Sequence, residues 1–388
     1  MNDLSLDIGT SYITHYGEQL CGDHYELVNE ADGVSKVIVL ADGLKSGVKA
    51  SILSTLTAKM LSTMVASGLS IEESVRAVAA TLPISSEHGV AYSTFTVMRF
   101  VRNTVLELTQ YENPEVTILR DGERYEYKKV EQVIDGKVII TSRIRLQEGD
   151  IIVAVSDGCP GANDSLAYNH DWDLPQIADF VSTMSIAGYS AKALAGMLVD
   201  ECNRLYGGKP IDDASACVIR VVRRQQVNVL FGPPADRNDC NRMLTLFCSK
   251  AGKRIVCGGT TAKIAADYLG TTVRNSTKYK SAGGPPMSEI DGIDLVTEGL
   301  VTIDQVVRNA AAYLENDDMH WSTDKDAASL ICRMLFEEAT DVNFFVGRAV
   351  NPATENLHAM SYSAKSELTE ELANYLRKMG KNVKISYF

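Results

Sequence analysis

The feature that most constrains this chain is a change of pattern at the polar step Arg223-Arg224-Gln225-Gln226. Before it, short β-branched or apolar runs (36–40, 93–101, 104–110, 137–141 and 151–156) are closed by the turn pairs Asn113-Pro114, Asp121-Gly122 and Asp135-Gly136. Such tight turns predict antiparallel strands. Helical periodicity at 47–66, 71–81, 174–185 and 189–206 places helices around them, and 214–222 reads as a last strand. After the step, apolar strands (VNVLF, RIVC, IDLV, DVNFFV, NVKISYF) alternate with helical stretches near 237–250, 260–268, 302–315, 325–338 and 366–379. That alternation predicts an α/β domain. A chain of 388 residues exceeds one ordinary core, so the expected domains are 1–224 and 227–388.

The 50 acidic against 38 basic residues give a formal charge of −12, and no basic block interleaved with aromatics is present. A nucleic-acid backbone would be repelled, so no nucleic-acid partner is expected. The start MNDLSLDIGT lacks the order of a signal peptide, and no run of about 18 apolar residues exists to cross a bilayer. The expectation is a cytoplasmic chain with no membrane partner. Eight scattered cysteines without a CxxC pair read as reduced thiols.

Chemistry concentrates in the carboxylates. Two apolar runs end in Asp-Gly, at Asp42-Gly43 and Asp157-Gly158; Asp212-Asp213 precedes the last strand of the first domain, and Asp23 follows Cys21-Gly22. Any one Asp-Gly pair is a common turn. Several carboxylates at strand ends along one edge repel one another unless a cation lies between them, and hard Mg²⁺ or Mn²⁺ prefers such oxygen ligands. The combination Gly22-Asp23, Ala41-Asp42-Gly43-Leu44-Lys45-Ser46-Gly47-Val48-Lys49-Ala50, Ser156-Asp157-Gly158 and Asp212-Asp213-Ala214-Ser215 resembles the metal-dependent protein phosphatases of type 2C. The likeness is to the bacterial branch that includes the stage II sporulation protein E phosphatase, over roughly residues 4–222.

The resemblance implies an α+β fold, an αββα sandwich of two antiparallel sheets with helices outside, and two Mn²⁺ or Mg²⁺ ions at one end. By that likeness Asp42 bridges the metals, the Gly43 carbonyl completes one site, Asp157 and Asp212 are further ligands, and Asp23 binds directly or through water. Asp42, Asp157 and Asp212 are the implied catalytic residues, and attack of water on phosphorus needs no covalent enzyme intermediate. Lys45 departs from the pattern, standing where the branch has glycine, and Ser46 stands where histidine is frequent. Lys45 either clamps a substrate phosphate, hinders a metal, or stays solvated as a turn residue.

In the second domain Cys257-Gly258-Gly259-Thr260-Thr261 joins a strand to a helix, where free N–H groups can hold an anion. A tight turn with Thr260 or Thr261 as N-cap explains the same residues. Gly283-Gly284-Pro285-Pro286, Val346-Gly347-Arg348 and 351–356 carry no assigned role. Two functions are weighed. One is a bacterial serine/threonine phosphatase acting on a phosphorylated protein, its C-terminal domain sensing a ligand or docking a partner; the other is a phosphatase-fold signalling module that binds without turnover.

Overall fold

A computed structural model describes residues 3–43, 45–82, 93–164, 172–276, 287–316, 320–349 and 362–388. The chain packs as two compact units, 1–223 and 224–388.

In the first unit the chain order is β1 (Leu4–Ile13), β2 (Asp23–Asn29), β3 (Lys36–Asp42), α1 (Val48–Ala66), α2 (Ile71–Thr81), β4 (Thr94–Val101), β5 (Val105–Tyr111), β6 (Thr117–Arg120) and β7 (Glu123–Arg124). It continues with β8 (Val130–Ile134), β9 (Lys137–Arg145), β10 (Ile151–Val155), α3 (Leu174–Ser185), α4 (Ala191–Leu205) and β11 (Ala214–Arg223). One antiparallel sheet has the order β1-β11-β10-β6-β7, the other β2-β3-β4-β5-β9-β8.

The sheets stack face to face, and side-chain alternation shows how. Ile38 and Leu40 of β3 meet Ile152 and Ala154 of β10 in the inter-sheet core. Their neighbours Val37, Val39 and Ala41 pack on Ala58, Leu61 and Val75 of α1 and α2. Ile151, Val153 and Val155 pack on Ile177, Leu194 and Leu198 of α3 and α4. Strands covered on both faces read as unbroken apolar runs, which is why KVIVLA and IIVAV show no polar alternation. The result is the αββα sandwich that the resemblance implies. Local chemistry fixes the helix starts: Ser70 and Glu73 form a capping box on α2, Asp173 and Gln176 do so on α3, and Ser190 caps α4. α1 has no side-chain cap, and its N-cap Gly47 has φ 82°.

The second unit runs β12 (Gln226–Phe231), α5 (Asp239–Ser249), β13 (Lys253–Cys257), α6 (Gly259–Leu269), β14 (Arg274–Asn275), β15 (Ser288–Glu289), β16 (Leu295–Thr297) and α7 (Leu300–Asn316). It ends with α8 (Ala327–Cys332), β17 (Asp341–Val346), α9 (Tyr362–Lys378) and β18 (Asn382–Tyr387). The sheet order is β14-β15-β16-β13-β12-β17-β18, with β16, β13, β12, β17 and β18 all parallel. Val229 and Phe231 of β12 pack with Ile303, Ile331 and Leu372 from α7, α8 and α9, whereas Leu230 packs with Met243 and Ala265 from α5 and α6. The sheet is doubly wound, and its strand order reverses between β12 and β17.

Two local expectations change. The N-cap of α6 is Gly258, at φ 109° with no side-chain cap bond, and not a threonine. The single helix expected at 325–338 is α8 followed by a π turn over Arg333–Glu338, which buries the consecutive residues Met334, Leu335 and Phe336. The 283–286 and 351–356 motifs lie outside the described residues. All eight cysteines are free, and among the described residues no helix is long and apolar enough to cross a membrane.

Candidate active site

Strand register brings the acidic residues to one end of the sandwich. In the β2–β3 ladder Asp23 stands directly opposite Asp42, at the end of both strands. In the other sheet Ser156 and Asp157 follow β10 while Asp212 and Asp213 precede β11; Val155 pairs with Ala216, and Ser156 donates its N–H to the Ser215 carbonyl at 3.0 Å. One hydroxyl ties the sheets together. Ser156 Oγ donates to Asp23 Oδ2 at 2.7 Å and accepts the Ser215 N–H at 2.9 Å.

Glycines permit this closeness. A Cβ on Gly158 would lie 2.1 Å from the Asp213 carbonyl oxygen, and one on Gly43 would lie 2.4 Å from the Ala50 carbonyl oxygen in the first turn of α1. Gly43 N–H donates to the Gly22 carbonyl at 3.1 Å, and a Cβ on Gly22 would come within 2.7 Å of Asp213 Oδ2.

The electrostatics are those of crowded acids. The Asp42 carboxyl is within hydrogen-bonding reach of both Asp23 and Asp157. Burial, and then the charges of Asp23, Asp157 and Asp212, hold it far above the usual carboxylate range. Burial also raises Asp23, against the lowering pull of hydrogen bonds from Ser215 and Ser156. Asp212 is raised by burial and then by Asp157. Asp23 Oδ1 and Asp213 Oδ2 are buried without a hydrogen-bond donor among the described residues.

Asp23 and Gly43 are buried, Asp42 and Asp212 half-buried, and Asp157 exposed. Asp157 and Asp212 line a cleft of about 480 Å³ with Gly158, Trp172, Tyr206 and Ile211. Lys45 is exposed and holds φ at 65°, the left-handed region that glycine enters without strain. That backbone need accounts for glycine being the residue of the pattern at this place. Three participants were assigned no role of their own by the reading of the sequence. Ser156 was visible only as a neighbour of Asp157. Asp213 takes the structural part in the Asp-Asp pair, its Oδ1 accepting the His15 N–H at 3.0 Å. His15 carried no motif, and contact across 198 positions leaves no local signal.

Residues 33–222 match the family model described as Stage II sporulation protein E (SpoIIE). The N-terminal unit is a SpoIIE-type domain. A comparison with curated proteins gives no match. Among solved structures, the phosphatase domain with a regulatory-domain fragment of SpoIIE from Bacillus subtilis is 17% identical, covering 55% of this chain and 63% of that one, at a TM-score of 0.46. This chain thus spans less than two thirds of that relative. A second structure of the B. subtilis SpoIIE phosphatase domain is 18% identical over 57% of this chain and 95% of that one, at a TM-score of 0.41. The RsbU and RsbW domains of Rv1364c from Mycobacterium tuberculosis are 15% identical over 73% and 81%, at a TM-score of 0.48.

Whether the SpoIIE-type site suits hard divalent cations is a question of donor chemistry. Its oxygen ligands are carboxylates and backbone carbonyls, the buried Asp23 Oδ1 and Asp213 Oδ2 have no hydrogen-bond donor among the described residues, and the acids repel one another; a hard divalent cation answers all three conditions. Among the described residues no three His, Cys, Asp or Glu side chains form a finished metal cage.

Proposed function

We propose that the SpoIIE-type domain is a Mn²⁺- or Mg²⁺-dependent phosphatase acting on phosphoserine or phosphothreonine in a protein. The observation that supports this reading most directly is Asp42 flanked by Asp23 and Asp157 at the end of the sandwich, its acid raised by their charges. Asp23, Asp42, Asp157, Asp212 and the Gly43 carbonyl would hold two such ions. When bound, the ions supply acidified water and neutralise phosphoryl oxygens.

The chain's own residues do the rest. Asp42 connects the two sheets' contributions, since Asp23 lies on its own sheet and Asp157 on the other. Ser156 fixes one oxygen of Asp23, and the second is buried with no hydrogen-bond donor among the described residues. The His15 N–H holds Asp213, whose own N–H donates to Asp212 Oδ1 at 2.9 Å and so orients that carboxylate. The cleft beside Asp157 and Asp212 is open enough for a phosphorylated side chain on a protein surface. The C-terminal unit is read as the part that takes a ligand or partner. The deciding experiment is hydrolysis of p-nitrophenyl phosphate, then of phosphopeptides, with Mn²⁺ and with EDTA. Mn²⁺-dependent turnover is expected; its absence with Mn²⁺ bound would favour the signalling module that binds without hydrolysis.

A further inference from the structure

The first unit has a second cleft, of about 510 Å³, that shares no lining residue with the acidic one. Its floor is one row of cross-strand partners: Val97 of β4 pairs with Thr109 of β5, Thr109 with Thr141 of β9, and Thr141 with Val130 of β8. Val97 packs in the cluster under α1 and α2, so the row lies on the helix-covered face of the six-stranded sheet. Four short β-branched side chains suit a strand but leave the space above them unfilled. Val65 near the end of α1, with Leu69 and Ile71 at the start of α2, forms an apolar wall beside that space. The next row of the sheet is charged: Arg99 pairs with Glu107 and Glu107 with Arg143, and all three line the cleft together with Lys128.

The polar groups of the cleft are unevenly used. Thr141 Oγ1 donates to the Val130 carbonyl at 3.3 Å, and the lining Ser70 is engaged in the capping box of α2. Thr109 is only 7% exposed, yet its hydroxyl makes no hydrogen bond among the described residues. Arg99 is held by Glu30 at 2.6 and 3.1 Å and donates to Glu107 at 3.2 Å. The exposed Arg143 has only a 3.8 Å approach to Glu107, and Lys128 enters no ion pair among the described residues. Three cations thus meet two carboxylates, and a positive charge is left over in a chain whose formal charge is −12. Arg143 and Thr109 are diagonal neighbours on one sheet face, about 7 Å apart, a separation that a long side chain crosses. We propose that this cleft binds a small carboxylic acid with an apolar body, its carboxylate taken by the Arg143 guanidinium and the Thr109 hydroxyl and its body laid against Leu69, Ile71 and Val130. The planar fork of arginine matches a carboxylate, and apolar walls with a few convergent polar groups are the usual make-up of a ligand pocket of this size. The inference is independent of the phosphatase reading.

The test uses the full chain in EDTA, so that no carboxylate is drawn to metal at the acids of the other cleft. Calorimetric titration compares octanoate, octanamide and octylammonium on wild type, Arg143→Gln, Thr109→Val and Val130→Glu. One saturable octanoate site is expected in wild type, at least about tenfold weaker in Arg143→Gln and about threefold weaker in Thr109→Val. Val130→Glu, which sets a carboxylate beside the ligand body, should abolish it. Arg143 and Val130 are exposed, so their variants should melt with wild type and decide the matter should Thr109→Val not fold. Octanoate binding unchanged in any folded variant, or uptake that never saturates in wild type, would overturn the proposal. Octanamide or octylammonium binding as tightly as octanoate would overturn the ligand class. A wild-type chain that sediments as a dimer, and as a monomer once Val130→Glu is made, would give the cleft to a second copy of the chain and overturn the small-molecule reading.

Discussion

Asp42 has a carboxyl neighbour on each side, and its exchange for asparagine separates its charge from its shape. In EDTA the folded pKa values of Asp42 and Asp23 stand above the unfolded value, so the folded state holds the extra protons. Stability is then lost as pH rises from about 4 toward the folded pKa values. The chelated chain should melt lower at pH 7 than at pH 5, Asp42→Asn should flatten that slope and melt higher at pH 7, and Mn²⁺ should raise the melting point of wild type only. The same variant should lose phosphatase activity by at least about a hundredfold. Lys45 gives the opposite kind of prediction, since its strain lies in the backbone. At φ 65° a side chain costs about 1 kcal/mol that glycine does not, so Lys45→Gly should stabilise the fold by about that amount. As an exposed turn residue it should leave the KM for a phosphopeptide and the Mn²⁺ dependence of hydrolysis nearly unchanged. A marked rise in KM would give Lys45 the substrate-clamping role, and tighter Mn²⁺ binding the hindering one.

At the scale of elements, β10 and β11 form the site only because Gly158 lets their ends meet. A Cβ placed there would overlap the Asp213 carbonyl oxygen, so Gly158→Ala should push Asp157 away from Asp212. About 2–3 kcal/mol of stability should be lost, with weaker Mn²⁺ binding, read by denaturant unfolding and metal titration. An alanine variant as stable and as active as wild type would mean this contact does not hold the strand ends. The sandwich was legible in the sequence where its strands are buried on both faces, because KVIVLA and IIVAV are too apolar for a surface. β1 and β2 were harder to read. Their faces are mixed, as the half-buried Asp7, His24 and Glu26 show, and what makes them strands is pairing with β11 and β3. The acids of the site were legible as motifs. The hydroxyl that joins them was not, since Ser156 reaches Asp23 across 133 positions and between two sheets. The π turn was likewise hidden, because the periodicity at 325–338 suits one helix and the wider turn serves tertiary burial.

At the scale of the molecule, the junction can be tested by cutting it. Arg223 is the last residue of β11 and pairs opposite Leu4 of β1, inside the first unit. The next residue already belongs elsewhere: Arg224 makes a two-pronged ion pair with Asp341 at 2.7 and 2.5 Å, and Gln225 N–H donates to Thr340 Oγ1 at 2.8 Å, both within the second unit. A cut after Arg223 therefore falls at the boundary between the units and leaves β11 whole. The fragment 1–223 should unfold in one cooperative transition and keep its Mn²⁺-dependent hydrolysis within about threefold of the full chain on a small substrate. A small substrate matters here, because a phosphoprotein recognised by the C-terminal unit would confuse loss of docking with loss of chemistry. If the fragment folds, binds Mn²⁺ and hydrolyses p-nitrophenyl phosphate but not a phosphoprotein that the full chain accepts, the second unit supplies recognition. If it folds and loses turnover of the small substrate as well, the second unit acts on the site itself, and the separation of roles between the units is wrong.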